Sequence, residues 1–205
     1  DAAKMEFVRA HPRSLLTLYI AETLLKTPFT RAPEEVEELT RVVGQIEDTV
    51  RRPYILKIAD ITRTLCKGAV YKDVELINTT GEKVKLSQFV HPDRYTLVDF
   101  WASWCGPCRR EMKSLLPIYQ ELKGDDLVFI SISLDYTEKA WLPAHEEEQI
   151  PWGSYWLKEN FKSMIAEQLG IEAIPFIVVV DQKGRIAGKN LRDQKLIDKV
   201  NELLK

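Results

Sequence analysis

The segment that decides the fold is Trp101-Ala102-Ser103-Trp104-Cys105-Gly106-Pro107-Cys108, which directly follows the mostly apolar run from Tyr95 to Phe100. That run has the composition of a buried central β-strand. Residues 105–123 have helical periodicity, and we expect Gly124 to end this helix and Pro117 to kink it. A Cys-x-x-Cys pair between a strand and a helix is typical of a redox-active dithiol.

The position of the two cysteines predicts their roles. At a helix N-terminus the Cys105 sulfur faces unpaired backbone N–H groups and the positive end of the helix dipole, which both favour a thiolate. Cysteine pKa values fall to roughly 3.5–7.5 in such surroundings, so Cys105 is the predicted nucleophile. Cys108, one turn further along, is expected to be more buried. We expect it to attack the Cys105 sulfur and resolve the mixed disulfide, because residues three apart share a helix face.

Other interpretations of the cysteine pair are disfavoured. A structural zinc site needs further ligands, but the three histidines have no ligand spacing and the third cysteine, Cys66, has no nearby cysteine partner. Arg109 follows Cys108 at the position where covalent haem attachment requires His. We therefore expect no metal and no cofactor apart from a redox-active disulfide between Cys105 and Cys108.

Asp99 lies inside the apolar strand run, where a carboxylate is costly to bury. Desolvation would raise its pKa, and we hypothesise that Asp99 accepts the proton of Cys108, through water, when Cys108 attacks the mixed disulfide. The alternative is an Asp on the outward face of the strand. An Asp99→Asn variant that releases the mixed disulfide at an unchanged rate would exclude the catalytic role.

Ile174-Pro175 comes just before a candidate strand, Phe176 to Val180. A proline at the first residue of a strand needs no further explanation, and the sequence alone favours a trans bond. The functional alternative is a cis bond that places the Ile174 backbone beside the dithiol, where it pairs with an extended substrate segment. The predicted substrate contacts are Trp104, Gly106, Pro107, Ile174 and Pro175.

Strand and helix patterns alternate through the rest of the second half of the chain. Predicted strands cover residues 74–77, 84–86, 127–134, 152–157, 176–180 and 185–189, and predicted helices cover 137–148, 161–169 and 193–204. Gly170 is placed to end the helix over 161–169. The fold class is therefore α/β, with a mixed central sheet, flanking helices and a βαβ unit around the dithiol.

The first third of the chain has a different pattern. Apolar residues from Met5 to Leu65 have helical spacing, and Pro12, Pro33 and Pro53 mark three helix starts. We predict a domain boundary near residues 66–70, so that a helical segment, 1–67, precedes an α/β domain, 68–205.

Composition and charge limit the possible partners. The chain has 205 residues, of which 45% are hydrophobic and 29% charged, as in ordinary globular proteins. Its 29 Lys and Arg against 31 Asp and Glu give a net charge of −2, which leaves no basic excess for nucleic acid. Apolar stretches are far shorter than the roughly 20 residues that span a bilayer. We expect that any signal peptide or lipid anchor was removed or left out of this sequence.

These motifs resemble those of the thioredoxin superfamily and, more narrowly, of the TlpA/ResA-like thiol-disulfide oxidoreductases of the bacterial envelope. The resemblance covers residues 68–205. It rests on Trp-Cys-Gly-Pro-Cys with Asp99 upstream, on Asp135 after the strand from Val128 to Leu134, and on Ile174-Pro175. It implies a thioredoxin-like fold, a cis Pro175 and an inserted element around residues 137–170.

The order of the two segments resembles multi-domain thioredoxin-like proteins of Bacteroides-type bacteria. That resemblance implies that residues 1–67 are the end of a larger upstream domain, and that the protein is in the periplasm or cell envelope, anchored through a missing lipoprotein signal. Gly106-Pro107 resembles reducing thioredoxins, whereas some cytochrome-maturation relatives have an acidic residue there. The resemblance to reducing thioredoxins implies that this protein reduces protein disulfides with electrons from a membrane donor of the DsbD or CcdA type.

Two other functions stay open at this point: a peroxiredoxin-like peroxide reductase and a noncatalytic binding module with the same fold. Outside the dithiol, Cys66 is expected to be a small buried residue rather than a regulatory disulfide partner of Cys105. The aromatic residues of 141–156 are expected in the core rather than on a substrate surface, although Trp141, Trp152, Tyr155 and Trp156 could line one. Glu146-Glu147-Glu148 is expected to be a solvated helix face.

Overall fold

The computed structural model describes residues 1–27, 31–66, 68–122 and 126–204, which fall into two compact units, Asp1–Ala69 and Val70–Lys205. In its described part the first unit contains helices α1 (Ala2–Ala10), α2 (Leu15–Leu25), α3 (Pro33–Gly44) and α4 (Arg51–Leu65). The second unit contains strands β1 (Glu75–Ile77), β2 (Lys83–Lys85), β3 (Tyr95–Trp101), β4 (Leu127–Ser133), β5 (Gly153–Trp156), β6 (Phe176–Val180) and β7 (Ile186–Lys189). Its helices are α5 (Gly106–Leu122), α6 (Glu138–Glu148), α7 (Met164–Leu169) and α8 (Asp193–Leu203).

The helices of the first unit begin where the local sequence can satisfy their free N–H groups. Ser14 accepts the N–H of Leu16 at 3.2 Å and caps α2. Pro33 is the first residue of α3, as predicted. The prediction of three helices from three prolines is wrong, because the described part holds four and Pro12 lies in the turn between α1 and α2. Buried apolar residues from all four helices form the core of this unit.

The seven strands in the described part of the second unit form one mixed sheet in the order β2-β1-β5-β4-β3-β6-β7. Strands β3, β4 and β5 are parallel neighbours, and the remaining pairs are antiparallel. Strand β3 lies between β4 and β6 and is buried from Thr96 to Trp101, which explains its near-continuous apolar sequence. This architecture confirms the predicted α/β class and the βαβ unit.

Helix α5 packs on one face of β3. Side chains alternate between the two faces of a strand, so Leu97, Asp99 and Trp101 share a face. Leu97 belongs to the same buried cluster as Leu115 of α5, and Trp101 to the cluster that contains both cysteines and Met112. The α5-facing side of β3 therefore carries Asp99 between two residues that pack against the dithiol helix.

One helix prediction differs from the structure. The helix expected over 161–169 is divided into a 3₁₀ turn, Asn160–Lys162, and α7, because Ser163 is extended and caps α7 by accepting the N–H of Ala166 at 3.2 Å. Gly170 ends α7 in a left-handed conformation, as predicted. Helix α5 continues through Pro117 to Leu122, and the predicted terminator, Gly124, lies outside the described residues.

Within the described ranges, no helix is both long and apolar enough to cross a membrane.

Candidate active site

The two cysteines lie where β3 passes into α5, and they form a disulfide with Cα atoms 5.2 Å apart. Cys105 immediately precedes the helix, and the backbone N–H of Cys108 donates to the Cys105 sulfur at 3.2 Å. Cys105 is 4% exposed and Cys108 1% exposed. Both cysteines are therefore buried, Cys105 slightly less so, and the Cys105 sulfur receives one of the free N–H groups at the helix start.

The Ile174–Pro175 peptide bond is cis, as the family resemblance implied. The carbonyl oxygen of Ile174 is 3.7 Å from the Cys105 sulfur. Pro175 immediately precedes β6, whose ladder with β3 ends at the pair of Phe176 and Phe100. The structure thus brings Ile174 and Pro175 together with the dithiol, although they lie about seventy residues apart in the chain.

Asp99 is a buried carboxyl group on the side of β3 that faces α5. One of its oxygens accepts a hydrogen bond from the Ser131 hydroxyl at 3.2 Å, and that hydroxyl in turn accepts the indole N–H of Trp152 at 2.8 Å. Burial, which has the largest effect, and the nearby Glu111 carboxylate together raise the pKa of Asp99 to about 7, although the Ser131 hydrogen bond opposes both effects. A carboxyl group with such a pKa can exchange a proton near neutral pH, and its role as the acceptor for Cys108 stays a prediction.

Glu111 is a residue of the site that the sequence analysis missed. It lies three positions after Cys108 on α5, and burial raises the pKa of its carboxyl group while the nearby charge of Arg192 lowers it. Arg192 Nε lies 3.9 Å from Glu111 Oε1, and Arg192 Nη2 donates to the carbonyl oxygen of Pro175. The spacing of Cys108 and Glu111 on one helix face could have indicated Glu111, but nothing local indicated Arg192.

Asp135 holds the loop that leads to the cysteines. Its side chain accepts the backbone N–H of Ser103 at 2.9 Å, the Ser103 hydroxyl at 2.6 Å and the Ser133 hydroxyl at 2.7 Å. The carbonyl oxygen of Asp135 accepts the indole N–H of Trp156 at 2.8 Å. These bonds tie the loop after β3 to the loop after β4, so the position of the dithiol depends on both strands.

The predicted substrate contacts beside the cysteines lie on the surface. Trp104 is 56% exposed, with its ring centroid 6.4 Å from that of Phe161, and Gly106 and Pro107 are exposed at the start of α5. Trp141, Trp152 and Trp156 are buried, in agreement with the expectation of core aromatics. An exposed indole next to a buried sulfur can contact an incoming polypeptide without entering the core.

The expectation that Glu146-Glu147-Glu148 forms a solvated face is wrong for Glu148, whose side chain is 4% exposed. Glu148 and Glu147 both accept hydrogen bonds from the guanidinium of Arg109, the residue that follows Cys108. The carboxylates are drawn towards α5 because that cation lies on the neighbouring helix, 38 or 39 residues away in the sequence.

Cys66 is a free, buried cysteine in the core of the helical unit. Burial raises the pKa of its thiol, which makes it a poor nucleophile. Over the part of the chain that the structure describes, no group of three or more His, Cys, Asp or Glu side chains could hold a metal ion.

Comparisons with known proteins agree with this geometry. A family model described as thioredoxin-like matches residues 93–186. The thioredoxin domain of a thiol-disulfide oxidoreductase from Bacteroides vulgatus has 31% sequence identity and a TM-score of 0.62, covering 69% of this chain and 99% of that one.

Two curated relatives extend the comparison to other organisms. Thioredoxin 2 of Chlorobaculum tepidum is 31% identical over 116 residues, which cover 54% of this chain and 83% of that protein. Nucleoredoxin of Mus musculus is 30% identical over 126 residues, but the chain spans only 28% of its length. The chain belongs to the thioredoxin superfamily of thiol-disulfide oxidoreductases.

Proposed function

We propose that this protein reduces disulfide bonds of proteins in the cell envelope through the Cys105–Cys108 dithiol. The observation that carries the proposal is the hydrogen bond from the Cys108 N–H to the Cys105 sulfur at the start of α5. The same bond stabilises a thiolate in the reduced protein more than it stabilises a neutral thiol, because a hydrogen bond to a charged acceptor is stronger. Cys105 is accordingly the attacking sulfur.

The reaction has two exchange steps. The Cys105 thiolate attacks one sulfur of the substrate disulfide; a mixed disulfide forms, and the other substrate sulfur leaves as a thiolate that takes a proton from solvent. Cys108 then gives its proton to Asp99, through water, and attacks the Cys105 sulfur, which releases the second substrate thiolate. The substrate disulfide gains two electrons, and the enzyme dithiol becomes the Cys105–Cys108 disulfide.

Protein substrates bind at the surface formed by Trp104, Gly106, Pro107 and the Ile174–Pro175 backbone. The Ile174 carbonyl beside Cys105 supports this proposal, because an extended peptide that pairs with this backbone would bring its own disulfide to the attacking sulfur. Backbone pairing is largely independent of sequence, so it suits an enzyme with several protein substrates.

The oxidised enzyme must be reduced again to complete a cycle. We assign this step to a membrane electron donor of the DsbD or CcdA type, and the protein to the periplasm or cell envelope, where disulfides form and persist. No further cofactor is required, because the cysteine pair stores both electrons.

Insulin reduction in the presence of dithiothreitol tests the activity, with hydrogen peroxide consumption measured in parallel. We expect insulin reduction that is lost in Cys105→Ser, and no peroxide consumption above background. Peroxide consumption without insulin reduction would assign a peroxide reductase instead, and inactivity in both assays would assign a binding module. A Cys108→Ser variant should keep substrates covalently attached to Cys105, which identifies them directly.

A further inference from the structure

Arg192 connects two parts of the site that belong to different elements. It lies between β7 and α8, and its Nη2 donates to the carbonyl oxygen of Pro175. Its Nε lies 3.9 Å from the carboxylate of Glu111, one helical turn after Cys108. One side chain therefore contacts both the peptide-binding backbone and the helix that carries the dithiol.

The main chain next to Arg192 is also held in place. The N–H of Leu191 donates to the carbonyl oxygen of Ile177 on β6 at 3.5 Å, and the carbonyl oxygen of Arg192 accepts the N–H of Leu196 in α8 at 3.3 Å. The side chain of Leu191 packs against the buried core between sheet and helices. The guanidinium thus extends from a fixed backbone, and its planar fork can bind two acceptors in one geometry.

The hydrogen bond from Arg192 to the Pro175 carbonyl lies where regular pairing between β3 and β6 stops. The ladder between β6 and β3 ends at Phe176, so Pro175 and Ile174 lie beyond it. A charge-assisted hydrogen bond to the Pro175 carbonyl fixes the peptide plane at this point. The adjoining Ile174 carbonyl, whose oxygen is 3.7 Å from the Cys105 sulfur, is thereby held in place beside the dithiol.

We propose that Arg192 is a positioning residue for protein substrates: it ties the backbone that pairs with an extended peptide to the helix that begins directly after the attacking cysteine. This inference rests on the proposed disulfide reductase function. It predicts a selective effect, because a disulfide without a peptide backbone does not use the pairing surface and a protein disulfide does.

The test compares two substrates in Arg192→Gln, Arg192→Lys and a matched control. The substrates are insulin and 5,5′-dithiobis(2-nitrobenzoate), a small aromatic disulfide, and the readout is the ratio of their kcat/KM values. Arg185→Gln is the control, because the Arg185 side chain is 47% exposed and that of Arg192 is 46% exposed. The partner of Arg185 is Asp181, on the turn after β6. Circular dichroism and the melting temperature establish that each variant is folded.

We expect Arg192→Gln to lower the insulin-to-small-disulfide ratio at least fivefold, mainly through a higher KM for insulin. Arg192→Lys should recover part of the ratio, since an ammonium can donate to the Pro175 carbonyl without reproducing the fork, and Arg185→Gln should stay within twofold of wild type. If Arg192→Gln does not fold, Arg192→Lys alone must lower the ratio. A ratio within twofold of wild type in the folded variant overturns the inference while the reductase proposal stands. A wild-type protein that reduces neither substrate overturns both.

Discussion

The buried carboxyl group of Asp99 should make the stability of the protein depend on pH in a way that Asp99→Asn removes. The folded pKa is about 7 and the ordinary value is 3.8, so the folded protein keeps a proton that the unfolded chain has already released between these two pH values. Because the unfolded state binds fewer protons in this window, the contribution of Asp99 to the free energy of unfolding falls as pH rises from 3.8 to about 7 and then levels off.

The size of the effect follows from the same two pKa values. At about 1.36 kcal/mol per pH unit, the interval from 3.8 to about 7 corresponds to about 4 kcal/mol for a fully buried group. An amide at position 99 does not titrate, so Asp99→Asn should gain about 4 kcal/mol relative to wild type between pH 4 and pH 8. A fixed cost of accommodating the amide shifts this difference by a constant and leaves its slope unchanged.

Guanidinium chloride unfolding of the oxidised proteins between pH 4 and pH 9 measures this difference. The oxidised state is chosen because the disulfide removes the titration of Cys105 and Cys108, and other groups common to both proteins largely cancel. Asp198→Asn, at an exposed position of α8, is the matched exchange of carboxylate for amide and should change stability by less than about 1 kcal/mol. A difference between Asp99→Asn and wild type that does not grow with pH would refute the assignment of a buried, protonated Asp99.

Three further predictions concern neighbouring groups. Ser131→Ala removes the hydroxyl that lowers the pKa of Asp99, so that pKa should rise above about 7 in a carboxyl ¹³C NMR titration, and a fall would contradict the hydrogen bond from Ser131 to Asp99. Arg109→Gln leaves the buried Glu148 carboxylate without its cation and should lower the free energy of unfolding by about 1–3 kcal/mol in urea at pH 7, whereas unchanged stability would show that the pair contributes nothing. Cys66 should react with iodoacetamide far more slowly than the reduced dithiol, because its thiol is buried with a raised pKa; equal rates by mass spectrometry would disprove this.

Local sequence was sufficient for most of the second unit. Strand β3, helix α5 and the dithiol between them could be predicted because each depends on periodicity within a few residues. The cis bond before Pro175 came only from the family resemblance, since energetics alone favours trans.

Contacts between distant segments could not be predicted. The triplet Glu146-Glu147-Glu148 has the pattern of a solvated face, and only the tertiary structure shows that Arg109 buries Glu148. The contacts of Arg192 could not be predicted for the same reason. Its two partners, Pro175 and Glu111, lie in distant segments, and a single sequence does not show which distant segments meet. Helix α1 was missed for another reason, since it has neither a proline start nor a side-chain cap.

The most direct test of the whole account is the acidity of the Cys105 thiol in the reduced Cys108→Ser variant, measured from the pH dependence of its alkylation by iodoacetamide. We predict a pKa below about 7.5, since a helix start and a backbone N–H both stabilise the thiolate. A pKa of about 8.5 or more, as for a free cysteine, would contradict the assignment of Cys105 as the attacking sulfur.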